Sequence, residues 1–165
     1  MIITHLLAHS LFYAVIVNGY LFLIMITISP RVWGYSDYPE AIKAKVPPQT
    51  RAEKRLGLIV GIPWMIFTLG FPFYSPLLLK AKLGGEIPYS TAFLNVFLLV
   101  LVATLGDLLI LDWFLISKIT PGFVMIPGTD KADYKDFSHH YRGHLRAAMI
   151  LVLLCVVIAA IVVVV

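Results

Sequence analysis

The residues of this chain whose types and spacing bear on chemistry gather in one stretch. Asp107 and Asp112 interrupt an otherwise apolar segment, and His140, Arg142 and His144 stand just ahead of the last one. An ionisable side chain in hydrocarbon is costly, which makes each carboxylate a functional candidate. His140 and His144 are four apart, the spacing at which one helix face offers two imidazoles to one metal ion. Tyr141 stands where a zincin-type motif would have Glu. Asp112 with His140 and His144 is therefore a candidate metal-ligand or acid–base set, and Arg142 supplies a cation for a phosphorylated headgroup. The competing reading is an interfacial segment whose basic side chains touch lipid headgroups. No residue is assigned a catalytic role.

Asp107 lies, by helical rise, roughly 6 Å from the middle of its segment. Asn18 lies close to the middle of the first apolar segment. A hydrogen bond between them across a bundle is expected, serving either a proton or cation relay or a polar clamp. Asp112 is five residues on, about 140° further round an α-helix, so the spacing predicts that the two carboxylates face different neighbours and form no dyad.

A second histidine pair, His5 and His9, shares a face at the start of the chain. A membrane-spanning b-type haem takes one His from each of two helices at one depth, whereas here each end of the bundle draws its histidines from a single helix, which argues against haem. No lysine lies within an apolar segment, which argues against retinal. Gly-rich phosphate loops, nucleophile elbows and Cys-x-x-Cys pairs are absent, and the single cysteine, Cys155, excludes a dithiol relay.

The elements that must position these residues are set by hydropathy. The chain has 165 residues, 60% of them hydrophobic, and a mean hydropathy of +0.91. One soluble core of this length cannot hide so much apolar surface. Four segments are long enough to cross a bilayer, about 6–29, 56–79, 91–117 and 145–165. The expected fold is an all-α integral membrane four-helix antiparallel bundle, a single membrane domain over 1–165 with two long connections. No Lys or Arg precedes the first segment, which reads as a retained helix ending at Pro30. Thr50 and Glu53 form a capping-box pattern before the second. That segment carries Gly57 and Gly61, a small-xxx-small pair suited to close helix packing, then Pro63, expected to kink it, and Pro72, expected to end it. The stretch 119–129 holds two Pro-Gly turns around a short apolar run, suited to a surface-lying segment or a short strand, and 130–138 reads as a polar helix or loop.

Charge gives the bundle a direction. The net charge is +4 and the pI about 9.2. Eleven of the thirteen Lys and Arg fall in the two long connections, and Lys80 and Lys82 in the short one. The positive-inside rule then places both long connections in the cytoplasm and both termini outside, and it explains the basic balance without nucleic acid. Trp33, Tyr35 and Tyr38 suit the headgroup level beside the first segment, or ordinary loop packing.

On sequence alone the leading expectation is a small membrane subunit or scaffold acting through helix packing at Gly57 and Gly61, with Asn18 as a further packing contact. Two alternatives stand beside it. One is a membrane-embedded enzyme, or a metal- or headgroup-binding protein, with its site at the cytoplasmic interface. The other is an oligomeric proton or cation transporter using Asp107. The partners this pattern admits are the lipid bilayer, a second copy or a larger membrane complex.

Overall fold

A computed structural model describes residues 1–165. The chain is all-helical, and four helices are long and apolar enough to cross a membrane: α1 (Ile2–Thr27), α4 (Arg51–Lys82), α5 (Tyr89–Ile119) and α6, whose continuous helix is Ser138–Val164. Two single-turn helices, α2 (Pro30–Trp33) and α3 (Glu40–Lys43), lie in the first long connection. α5 packs along α1 and α6, and α4 lies against the outside of α1 and α5. The two long connections share one end of the bundle, and the chain termini share the other.

The start of α4 is fixed by its polar residues. Thr50 Oγ1 accepts from the Glu53 amide and Glu53 Oε2 accepts from the Thr50 amide, closing the capping box. The same Glu53 carboxylate takes the Arg31 guanidinium at 2.6 and 3.1 Å. That pair staples α2 to α4, and Arg31 also donates to the carbonyls of Pro47 and Pro48. α2 is thereby held so close to α4 that a Cβ at Gly57 would meet the Val32 carbonyl at 3.2 Å.

α4 does not end at Pro72. It runs through Pro63, Pro72 and Pro76 to Lys82. A proline removes one amide donor and orphans the carbonyl four residues back, a loss that neighbouring helices can repair. Here the Tyr13 hydroxyl on α1 donates to the Thr68 carbonyl, the one Pro72 leaves free, at 3.0 Å.

α5 changes winding midway. Tyr89–Gly106 is α-helical, and Asp107–Ile119 continues as a π-helix with five-residue hydrogen-bond spacing. Ser117 Oγ repeats that spacing by donating to the Asp112 carbonyl. Thr120, with φ +53°, closes the helix, and its Oγ1 donates to the Ile116 carbonyl.

The long connections fold on each other. Tyr38, 1% exposed, packs with Ile42, Val124, Ile126 and Tyr134, and its hydroxyl donates to the Val124 carbonyl at 2.7 Å. Tyr38 is thus a buried anchor, not a headgroup contact. The 119–129 stretch forms no strand. It makes one 3-10 turn, Gly122–Val124, and drives Val124 and Ile126 into this cap. Lys45 pairs with Asp133 across the connections at 2.6 Å.

Candidate functional site

Two helix segments build the site, and both depart from simple α-helical expectation. The first is the π-helical part of α5. Its wider turn places residues five apart one above the other, so Asp107 and Asp112 share a face. The expectation of two carboxylates facing different neighbours assumed 3.6 residues per turn, and the π winding overturns it. The second is the start of α6. The helix begins at Ser138, not near Leu145, and takes all three histidines into its first two turns. His140 and His144 then project from one face toward α5.

The four side chains meet. His144 Nε2 lies 2.9 Å from Asp112 Oδ2 and 3.7 Å from Asp107 Oδ2. His140 Nδ1 lies 3.2 Å from the other Asp112 oxygen. Each oxygen of Asp112 thus faces one imidazole, and its carboxylate plane is fixed by both. The side chains of His140 and Asp112 are only 10% and 14% exposed. One donor atom from each of Asp107, Asp112 and His144 lies within 4.8 Å of the others. Two donors on a single ion, each at roughly 2.0–2.2 Å, stand about 2.8–3.6 Å apart at octahedral or tetrahedral angles, close to the two His144–carboxylate distances. Two carboxylates with one imidazole suit a borderline to hard divalent cation. His140, on the far oxygen, orients the Asp112 carboxylate in the way outer partners orient metal ligands.

The cluster opens into a cleft of about 1180 Å³. α4 forms one wall with Lys54, Gly57, Gly61 and Trp64, and α6 the other with His140, Gly143, His144 and Arg146. Leu21 and Met25 of α1 and Leu111 of α5 make an apolar floor. His139 Nε2 lies 2.9 Å from the Asp37 carbonyl and ties the start of α6 to the first connection. Asp37 is reachable from the cleft, yet the protein around it removes enough water to push its carboxyl above the usual range, with Asp112 adding repulsion.

The other expected residues divide. Asn18 does not reach Asp107. Its amide donates to the Ala14 and Ala103 carbonyls at 3.0 and 3.1 Å, and Gly106 leaves the room, since a Cβ there would stand 2.7 Å from that nitrogen. Asn18 therefore clamps α1 to α5 through the backbone. Gly57 packs on α2, and a Cβ at Gly61 would meet nothing within 4 Å. Within this chain the two glycines widen the cleft and do not seat a second long helix. Arg142 lines the cleft, with its guanidinium tethered to the Ser138 carbonyl at 3.1 Å.

A polar cluster at the terminal end escapes notice in the sequence because its members come from three helices. Ser75 Oγ of α4 donates to Asn95 Oδ1 of α5 at 2.9 Å and lies 2.9 Å from His9 Nδ1. His5 stacks on His9 at 3.7 Å and its Nε2 meets the Ser75 carbonyl at 3.1 Å. The only sequence cue is the four-residue spacing of His5 and His9. Between this cluster and Asp107 the bundle is filled by Tyr13, Val17 and Leu99, with Phe67 and Phe71 against them.

Comparison with protein families, with curated proteins and with solved structures finds no match for this chain.

Proposed function

We propose that this protein is a multi-pass membrane protein that holds a divalent cation at the cytoplasmic interface and presents it to a ligand in the cleft. The observation that carries this reading is the convergence of Asp107, Asp112 and His144, whose donor atoms lie within 4.8 Å of one another. Three protein donors leave coordination positions for a ligand, the arrangement of a working site and not of a closed structural one. The cation serves as a Lewis acid or an anchor for an anionic group in the cleft. The cytoplasmic placement rests on the eleven basic residues of the long connections. The apolar layer of Tyr13, Val17 and Leu99 beyond Asp107 favours a one-sided site over a path across the bilayer.

Titration of detergent-purified protein with Mn²⁺, followed by electron paramagnetic resonance, tests the proposal. One bound ion per chain is expected, lost in Asp112→Asn and in His144→Ala. No stoichiometric binding, or equal binding by both variants, overturns it. Occupancy should also fall as pH is lowered, because the ligands must give up their protons.

A further inference from the structure

The cleft has a shape and a charge pattern that identify its occupant more closely than the cation site does. α4 and α6 are joined at the terminal end, where the Lys80 ammonium donates to the Val162 and Val163 carbonyls at 3.1 and 3.0 Å. At the connection end the same two helices form opposite walls of the cleft. The pair is thus pinned at the terminal end and stands on either side of the cleft at the connection end. Gly61 and Gly143, one on each wall, have open space where a side chain would stand.

The walls are amphipathic in a definite order. Lys54 and Arg146 line the connection side and take part in none of the ion pairs of the molecule. Arg142 adds a third cation. Below them lie Leu21, Leu58 and Leu111. Trp64 stands at the bottom of this wall, and its Nε1 is buried without any acceptor in the protein. Trp64 marks the apolar depth of the cleft, ten residues and about 15 Å of helical rise from Lys54. The volume exceeds the range of about 300–1000 Å³ typical of small-molecule pockets.

The geometry points to an anionic glycerophospholipid, seated between α4 and α6, as the ligand of this cleft. Its phosphate lies among Lys54, Arg142 and Arg146, and its chains run along the apolar floor past Trp64 to the surrounding bilayer. This inference rests on the proposed cation site in one respect: a phosphate beside Asp107 and Asp112 is repelled unless a cation stands between them.

The test uses the 165-residue chain in phosphatidylcholine vesicles, with Trp33→Phe and Trp113→Phe leaving Trp64 as the one tryptophan, excited selectively over the tyrosines. Phosphatidylglycerol with brominated chains should quench Trp64 at lower mole fraction than brominated phosphatidylcholine, on the order of fivefold for each cation engaged. Lys54→Gln, Arg142→Gln and Arg146→Gln together should bring the ratio close to one. Gly61→Leu should weaken quenching by both lipids. Equal quenching by the two lipids in the parent protein overturns the inference, as does a preference that survives the charge variant. Relief of quenching by inorganic phosphate would also overturn it, in favour of a soluble phosphate ligand. Should the tryptophan variants not fold, native mass spectrometry of the wild-type chain released from mixed vesicles reads the same preference. Mn²⁺ titration of the same samples separates the two proposals. Ion binding without lipid preference sinks only the lipid. Lipid preference without ion binding sinks only the cation site.

Discussion

Asp112 is the residue on which the site turns, because both of its oxygens are engaged by imidazoles at 2.9 and 3.2 Å. In the proposed site His140 acts through it, from 3.2 Å on the far oxygen. Removing a side chain that orients a metal ligand costs roughly 10- to 100-fold in affinity, and His140→Ala should weaken Mn²⁺ binding by about that much while leaving one ion per chain. His144→Ala should abolish the site. Paired titrations of the two variants check the distinction, and equal effects would mean that His140 is itself a ligand. Gly61 calls for the opposite kind of substitution. A Cβ there meets open space, and replacing a mid-helix glycine by a helix former gains about 0.5–1 kcal/mol. Gly61→Leu should therefore keep or raise thermal stability while obstructing the cleft. A marked fall in melting temperature would show that the glycine is packed against something after all.

At the scale of elements, hydrogen bonds from side chains to backbone hold the bundle in register. Tyr13 and Pro72 form a coupled pair, since the hydroxyl serves the carbonyl that the proline orphans. Tyr13→Phe should destabilise by about 1 kcal/mol, the usual scale of such bonds within a membrane. In a Pro72→Ala background the alanine amide can serve Thr68 instead, so the same substitution should cost distinctly less. A double-mutant cycle on thermal unfolding reads the coupling, and additive effects would refute it. Ser75 holds α1, α4 and α5 together at the terminal end through His9 and Asn95. Ser75→Ala leaves both without that partner, at a cost of roughly 1–3 kcal/mol, and the melting temperature should fall without change in Mn²⁺ binding.

At the scale of the whole molecule, the charge asymmetry predicts a direction that labelling can test. Cys155 is buried and is the single native thiol, so cysteines introduced singly at exposed Glu40, Glu86 or Lys131 can be labelled selectively. An impermeant maleimide applied to intact cells should label the Glu86→Cys variant and spare the other two until the cells are opened. The reverse pattern would invert the orientation and move the proposed site to the outer leaflet.

The sequence by itself determined the bundle. Four apolar segments of spanning length admit few other folds, because hydrocarbon demands that each backbone group be bonded within its own helix. It also determined where to look: Asp107, Asp112, His140 and His144 are polar residues set in or beside apolar helices. The capping box at Thr50 was legible for the same reason, being a local contact of four residues. What tertiary structure alone decided was which of these groups meet. The π winding that aligns Asp107 with Asp112 leaves no mark in hydropathy, since both windings are equally apolar. The path of α4 through Pro72 depends on a hydroxyl fifty-five residues away. The cluster around Ser75 joins three helices, and the cleft lies between α4 and α6, which Lys80 ties together at the opposite end. Each of these is a contact between segments distant in the chain, set by packing geometry that local composition does not encode.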